Sequence, residues 1–512
     1  MKIERRLFKV PVLICFILSS ITLFFYSNRF VSAEITSKWM ALMIFTSALS
    51  CLFYLHKRIV FHFTNPLLLL FIVYFLFVFC RSWIYSSLNT TLLMSLSVLL
   101  LLFLLIQHIQ SVIPVRYIFA TMIFFALILT LHGLLQYTGM IRSYHSHFPL
   151  TGHFDNPAGF AAALIVVLPF CFHFVNHTKK YIRFAAIAAL SLMAIAVFLS
   201  GSRAGILAVA VASVIWSYTK IKNNKTRIIL AIVLVILPVV LYAVKKDSAD
   251  GRLLIWRCSL DMAKEKPVFG HGAGAFNAKY MLYQAEYFKT YPDSRFAQLA
   301  DNVTHPFNEY FLLFCEHGLV GLGMVALLII FLFRFYRRNP SNEKLVALMS
   351  LSSLAVFSFF SYPFRYPFTW MILFINLATV IASSDIIGNT VILTKGQHLL
   401  SRHTPRIGLF LLSTGILTYS LFLTRAEIKW KQIARFSFVK VLSEYDKLYR
   451  WLGSDGLFLY NHAAELYEAK EFENSLAVFE LCTRYHNDMD VQMFLAANYK
   501  ALGRLIEAER HY

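Results

Sequence analysis

Apolar residues occur along the chain in separate runs of about 17–23 residues, and short polar, basic segments divide the runs. Each run is long enough to cross a hydrocarbon core of roughly 30 Å as a helix. The pattern predicts about thirteen spans, near residues 8–25, 39–55, 65–82, 91–108, 116–137, 157–175, 183–200, 204–219, 227–244, 309–333, 345–362, 366–383 and 407–424. The predicted fold class is therefore all-α: a polytopic membrane protein with one large loop between spans and a short soluble helical tail.

Composition and charge agree with this interpretation. Hydrophobic residues make up 58% of the 512 residues and charged residues 15%, with a formal net charge of +21. The basic residues are concentrated in alternate loops, as Lys57, Arg58, Arg116, Lys179, Lys180, Arg183, Lys220, Lys222, Lys225, Arg227, Arg334, Arg337, Arg338, Lys344, Lys395, Arg402 and Arg406. Positive loops face the cytoplasm. We therefore expect a cytoplasmic N-terminus in the inner membrane, a periplasmic C-terminus, and no nucleic-acid partner.

The predicted topology leaves three segments outside the cytoplasm: 138–156, 245–308 and 425–512. The middle loop is rich in aromatic residues, which indicates a folded loop rather than disorder. From about residue 455 the tail is soluble and helical in pattern. There LYEAKEFENSLAVF (466–479) is similar to NYKALGRLIEAERHY (498–512) at a period of about 31–32 residues. The tail resembles a pair of tetratricopeptide repeats; an ordinary helical hairpin is the alternative.

Polar residues with chemical potential lie where predicted spans meet this outer side. Asn156 follows an aspartate and precedes a proline at the start of a span, as in a helix cap. SGSRAG (200–205) places Arg203 at the next outer hairpin, and GRLLIWR (251–257) places Arg252, Trp256 and Arg257 in helical register. An arginine beside a span can also extend to the interface, and a tryptophan can be a membrane anchor.

The compartment limits the chemistry. No ATP or nucleotide sugar is available there, so a transferase needs a donor with its own leaving group, such as a lipid-linked diphosphate sugar. Arginines can neutralise a diphosphate through bidentate hydrogen bonds, and a histidine such as His305 can take a proton from an acceptor hydroxyl. The seven cysteines are scattered without metal-ligand spacing, so we predict no metal site, no disulfide framework and no cofactor.

The stretch from about 150 to 335 resembles the superfamily of O-antigen ligases, O-antigen polymerases and bacterial protein O-oligosaccharyltransferases. The matching pieces are GHFDNPAGFAA, SGSRAGILA, GRLLIWR, KPVFGHGAGAF and HPFNEYFLLFCEHGLVG, in the family order. The family motif is His, then Asn, Ser or Gln, nine residues, Gly, two residues and Gly. Asn308, Gly318 and Gly321 fit this spacing, but Phe307 occupies the histidine position.

The resemblance implies a metal-independent, inverting glycosyltransferase. Its donor is an undecaprenyl-diphosphate-linked glycan, and its acceptor is a lipid, a glycan or a protein outside the cytoplasm. His305 is the expected substitute for the missing histidine, with Glu309 as the next candidate base. The expected diphosphate ligands are Arg252 and Arg203, with Arg257 as a further candidate; Asn308, Asn156 and Trp256 are expected to bind substrate.

Four regions follow from this interpretation. Residues 1–149 are N-terminal transmembrane helices, 150–335 the ligase-like core, 336–424 C-terminal transmembrane helices and 425–512 the outer helical tail. A polysaccharide polymerase is the alternative within the family. Outside it, the alternatives are a transporter or flippase of lipid-linked glycan, and a scaffold that presents the tail. Transporters place ionisable residues at mid-membrane, whereas here the polar groups collect at the outer rim.

Overall fold

The computed structural model describes residues 2–56, 66–85, 94, 97, 100, 115–143, 145, 147–244, 246–382, 399–434 and 441–511. Over these ranges the ordered structure is helical, without β-strands, which confirms the all-α prediction. The helices are α1 (Lys2–Phe24), α2 (Thr36–His56), α3 (Pro66–Tyr85), α4 (Val115–Tyr137), α5 (Pro157–Val175, with a 3-10 turn at Leu168–Phe170), α6 (Lys180–Leu199), α7 (Arg203–Lys220), α8 (Asn224–Val244), α9 (Lys246–Glu265), α10 (Ala275–Thr290), α11 (Glu309–Arg338), α12 (Asn342–Ser358), α13 (Pro367–Ala382), α14 (Leu399–Ile433), α15 (Leu442–Leu452), α16 (Gly456–Glu468), α17 (Phe472–Cys482), α18 (Met489–Ala501) and α19 (Leu505–Glu509).

The predicted spans coincide with helices, except the span near 91–108, most of which lies outside the described residues. Six helical segments of the described chain are long and apolar enough to cross a membrane: Val115–Tyr137, Pro157–Val175, Lys180–Leu199, Asn224–Ala243, Glu309–Arg338 and Ile407–Ile433. Shorter apolar helices cover Leu13–Phe24, Leu69–Arg81 and Pro367–Ile381. These findings indicate a multi-pass membrane protein, while the count of thirteen spans stays a prediction.

Helix α5 is the centre of the bundle. It contacts α4, α6, α7, α12 and α13, and every side chain from Phe160 to Val167 is buried. The three consecutive alanines at 161–163 let neighbouring helices approach closely, as small residues do in membrane helix interfaces. This packing holds the start of α5, and with it Asn156, in the middle of one end of the bundle.

The long loop at 245–308 is folded, as its aromatic content predicts. Helices α9 and α10 pack on the first half of α11 around a core that includes Met262, Tyr280 and Cys315. Arg252 and Trp256 lie on α9, so the helical register expected for GRLLIWR is confirmed.

Helix α11 is interrupted at Gly318, where φ is 62° and ψ is −158°. The connector between α9 and α10 pairs with the interruption: Leu319 N–H donates to Pro267 O at 2.8 Å, and His271 N–H donates to Cys315 O at 2.9 Å. A Cβ on Gly318 would lie 2.4 Å from the Val268 carbonyl oxygen, so only glycine fits. The sequence pattern predicts one continuous span here; the structure has two helical halves.

The tail forms a helical domain from α15 to α19. Its apolar side chains join those of α14 in one core, in which Trp430 of α14 packs edge-on against Phe458 of α16 with ring centroids 5.6 Å apart. Helices α16 to α19 pack in consecutive pairs. The tetratricopeptide assignment stays a prediction.

Candidate functional site

The candidate site lies at one end of the bundle. The starts of α5, α7 and α11 and the connection between α12 and α13 meet there beneath α9. Trp256 of α9 joins these parts: its indole N–H donates to Pro306 O at 2.9 Å, and its ring lies 5.7 Å from Phe311 and 6.3 Å from Phe360. Trp256 therefore connects α9 to the start of α11 and to the connection between α12 and α13.

Arg203 and Arg252 line the same cavity, which has a volume of about 130 Å³. Its remaining walls are largely apolar and include Trp256, Leu241 and Phe360. Arg203 begins α7, and its guanidinium donates to Leu241 O at 3.3 Å and Ser248 Oγ at 3.0 Å. These bonds hold the Arg203 guanidinium at the cavity, and α9 places Arg252 on the same cavity.

Arg252 is half-buried, and its guanidinium carbon lies 5.3 Å from the centroid of the Phe307 ring. Burial, and next the charge of Arg203, lower the pKa of Arg252 to about 10. The side chain therefore stays cationic at neutral pH. No carboxylate within the described part of the chain forms an ion pair with it. Two cations in one apolar cavity, one of them without a counter-ion there, fit an anionic ligand.

Phe307 occupies the motif histidine position with a left-handed backbone, φ 52°. Its ring lies between Arg252 and Tyr362, with the Tyr362 centroid at 5.2 Å. His305 packs on the same tyrosine, also at 5.2 Å, and its Nδ1 lies 3.1 Å from Thr304 Oγ1. The loop conformation thus places residues 305 and 307 against one ring.

His305 is neutral at pH 7. Burial, and next the charge of Arg365, lower the pKa of this imidazole to about 4. A neutral imidazole can accept a proton, although so low a pKa makes it a weak base.

Asn156 connects this group to a buried network. It caps α5 by accepting from Gly159 N–H at 2.9 Å, and its amide nitrogen donates to the hydroxyls of Tyr362 at 2.7 Å and Tyr366 at 3.1 Å. Tyr366 in turn donates to Asp155 Oδ1 at 2.7 Å, and Arg365 lies 3.9 Å from the other oxygen of Asp155. The cap residue expected from the sequence is therefore also a bridge between α5 and the α12–α13 connection.

Glu309 faces a second, larger cavity. This groove has a volume of about 440 Å³, is lined mainly by apolar side chains of α3, α11, α12 and α13, and carries Glu309, Glu316 and His317 among its few polar residues. The Glu309 carboxylate accepts from Phe364 N–H at 3.2 Å. The two candidate bases thus have different surroundings: His305 lies on the aromatic group beside Arg252, and Glu309 on the apolar groove.

Two of the candidate residues, Asn308 and Arg257, make a helix cap and a surface ion pair. Asn308 is 2% exposed and caps α11, with its Oδ1 accepting from Tyr310 N–H at 2.9 Å and Phe311 N–H at 3.1 Å. Arg257 points away from the cavity and pairs with Asp261 at 3.5 Å, with 55% of its side chain exposed. Neither is brought to the cavity that Arg203 and Arg252 share.

Tyr362, Tyr366 and Arg365 were not selected from the sequence. They lie more than fifty residues beyond the loop motif, in SYPFRYP (361–367) between two apolar spans. The available signal was the cluster of two tyrosines and an arginine in a short outer connection. Among the described residues, no group of three or more His, Cys, Asp or Glu side chains could hold a metal ion.

Part of the chain matches a known protein family. Residues 186–326 match a family model described as "O-Antigen ligase". The matched segment runs from α6 into α11 and contains Arg203, Arg252 and the Asn308–Gly318–Gly321 spacing. Asn156 and the 361–367 connection lie outside it. No curated protein matches the chain significantly.

Proposed function

We propose, from the match of residues 186–326 to the O-antigen ligase family model, that the protein is an inner-membrane glycosyltransferase that uses a lipid-diphosphate donor. It moves a glycan from undecaprenyl diphosphate to an acceptor hydroxyl on the periplasmic side. The observation that carries the proposal is the shared cavity of Arg203 and Arg252, in which Arg252 has no carboxylate partner among the described residues.

The reaction needs charge stabilisation on the leaving diphosphate. As the bond from the sugar C1 to the diphosphate oxygen breaks, negative charge grows on that oxygen, and the two guanidiniums stabilise it through charge-assisted hydrogen bonds. The acceptor oxygen attacks C1 from the opposite face, so the anomeric configuration inverts. The arginines supply the positive charge, and no metal ion or cofactor takes part in the proposed step.

The acceptor hydroxyl gives its proton to a base as the new bond forms. We assign this role to His305, because its neutral ring lies on the aromatic group that contacts Arg252. Glu309 is the second candidate, from the side of the groove. The groove suits the hydrocarbon chain of a lipid substrate, since most of its lining is apolar.

A deletion of the gene in its host tests the proposal, with lipopolysaccharide, surface polysaccharide and glycoproteins profiled together. The strain is complemented with wild type, Arg252→Ala and Arg257→Ala. We expect one glycoconjugate to disappear while its lipid-linked precursor accumulates. Wild type and Arg257→Ala should restore it and Arg252→Ala should not. The species that disappears identifies the acceptor class. Unchanged glycoconjugates, or full restoration by Arg252→Ala, contradict the proposal.

A further inference from the structure

We propose that the Tyr362 hydroxyl is a hydrogen-bond donor to the diphosphate group, beside Arg252. The inference rests on the proposed function and adds a binding residue to it. Tyr362 lies outside the segment matched by the family model, so that match does not assign it.

The hydrogen bonds of Asn156 determine which group donates and which accepts at Tyr362. Asn156 Oδ1 accepts from the Gly159 N–H, so the amide group of Asn156 must present its nitrogen to the two tyrosines. The Tyr362 oxygen is therefore an acceptor from Asn156, at 2.7 Å. Its own hydroxyl hydrogen remains to be donated.

That hydrogen has no acceptor among the described residues. Tyr366 differs in this respect, because its hydroxyl hydrogen is directed at Asp155 Oδ1, 2.7 Å away. Tyr366 is also 2% exposed, whereas Tyr362 is half-buried. Tyr362 therefore keeps a hydroxyl hydrogen for a ligand, whereas the hydrogen of Tyr366 is already used by Asp155.

The position of the ring fits the ligand. The ring centroids of Tyr362 and Phe307 lie 5.2 Å apart, and the guanidinium carbon of Arg252 lies 5.3 Å from the Phe307 centroid. Phe307 stands where the family motif has histidine, so this chain lacks the hydrogen-bonding side chain of that position. The Tyr362 hydroxyl lies beside that position and can donate a hydrogen bond to an anion, while His305 keeps the proposed role of base.

The chemistry favours a donor over a base. Burial, and next the charge of Asp155, raise the pKa of Tyr362 above its ordinary value. The phenol therefore remains protonated at neutral pH and presents an O–H group. A hydrogen bond from such a group to a charged oxygen is stronger than one between neutral groups, and the diphosphate is the anionic part of the donor.

The matched pair Tyr362→Phe and Tyr366→Phe tests the inference in the purified full-length protein. Both variants keep the ring and remove one hydroxyl from the same network. The probe is farnesyl diphosphate, whose affinity is measured by calorimetry, with thermal unfolding as the check on folding. We expect Tyr362→Phe to weaken binding about tenfold or more at an unchanged Tm. Tyr366→Phe should change the affinity less than about threefold, because its hydrogen is used by Asp155.

Comparison with Arg252→Ala distinguishes a failure of the Tyr362 assignment from a failure of the proposed diphosphate site. If Tyr362→Phe binds like wild type while Arg252→Ala loses affinity, Tyr362 is not a ligand and the diphosphate site stands. If both tyrosine variants lose affinity equally, the network acts by support alone and the inference is wrong. If wild type does not bind farnesyl diphosphate, the proposed diphosphate site itself is wrong, and the inference is wrong with it.

Discussion

Phe307 shows how one residue alters a familiar motif. An aromatic residue with φ 52° has a strained backbone, at a cost of about 1–2 kcal/mol. Contacts of the ring with the Arg252 guanidinium and, edge-on, with Tyr362 offset the strain. Histidine adopts this backbone conformation more readily than phenylalanine does. The left-handed conformation at this position therefore suits a histidine better than the phenylalanine present.

A double substitution tests whether His305 replaces the motif histidine. We expect His305→Ala to lower the transfer rate about 100-fold, the usual contribution of a general base. Adding Phe307→His should recover at least tenfold, since an imidazole at 307 would also contact Tyr362, as His305 does. The rates are measured with the purified protein and a lipid-linked donor. A His305→Ala protein with the wild-type rate would exclude His305 and favour Glu309.

The pKa of His305 gives a pH prediction. It is about 4 in the folded protein against 6.5 for the free group, so the unfolded chain binds the extra proton between these values. The stabilisation that the folded protein gains from keeping His305 neutral is complete above pH 6.5 and is lost as the pH falls toward 4. The transfer rate should decline at the acid end for the same reason, because protonated His305 cannot act as a base.

In Arg365→Gln, the acid-side decline of the transfer rate should move to higher pH, because removing the positive charge of Arg365 raises the pKa of His305. Burial is the larger cause, so the decline should remain below pH 6.5. Arg257→Gln is the control, since Arg257 pairs with Asp261 away from the imidazole. Coincident rate profiles for wild type and Arg365→Gln would show that Arg365 does not act on the titrating group.

The sequence predicted which residues lie together when those residues are close along the chain. Arg252 and Trp256, in one helical register, do lie on one cavity. The pairing of Asn156 with Tyr362 joins residues from distant spans, and no periodicity relates them. Asn308 caps α11 through its Oδ1, and its expected role in substrate binding stays a prediction.

At the scale of elements, the contact between the α9–α10 connector and α11 sets the geometry of the site. Gly270 and Gly318 face each other backbone to backbone: a Cβ on Gly270 would lie 2.4 Å from the Glu316 carbonyl oxygen. The Glu316 side chain accepts from Gly274 N–H at 2.9 Å, which ties the start of α10 to α11. Hydropathy located the apolar helices but not this interruption, since 309–333 is one apolar run and the segment that pairs with Gly318 lies about fifty residues upstream.

Gly318→Ala tests this contact. We expect a loss of roughly 3 kcal/mol or more in the free energy of unfolding, because the methyl group meets the Val268 carbonyl and the backbone conformation disfavours alanine. Gly323→Ala in the same helix has open space at its Cβ, so it should be neutral or stabilising by up to about 1 kcal/mol. Thermal unfolding compares the two. Equal Tm values would mean that the interruption does not depend on Gly318.

At the scale of the whole molecule, the tail is joined to the candidate site through α10. Asn277, in the first turn of α10, donates to Tyr485 O at 3.1 Å, and its carbonyl accepts from Asn487 N–H at 3.3 Å. His486 Nδ1 lies 3.3 Å from Asn277 Oδ1. Because the connector before α10 also holds α11, the tail, the loop and the motif helix form a continuous set of contacts. The change to a more polar, helical tail was predictable from composition, but its docking position was not.

Asn277→Ala should loosen this docking, since it removes the two side-chain contacts. We expect amide hydrogen exchange at residues 485–488 to accelerate about tenfold, as the loss of about 1.4 kcal/mol predicts. Asn474→Ala is the matched control, because Asn474 makes a local bond to Glu471 at 2.8 Å on the tail surface. Unaltered exchange at 485–488 in the Asn277 variant would contradict the docking role.

The most direct test of the central claim is glycan transfer by the purified protein. A radiolabelled undecaprenyl-diphosphate-linked glycan from the host is incubated with a membrane extract of the deletion strain as acceptor. Wild type is compared with Arg252→Ala and Arg257→Ala. We expect wild type and Arg257→Ala to move the label to the acceptor and release undecaprenyl diphosphate, with Arg252→Ala at least 100-fold slower. If Arg252→Ala transfers at the wild-type rate, or wild type transfers no label, the cavity of Arg203 and Arg252 is not the site of a lipid-diphosphate glycosyltransferase.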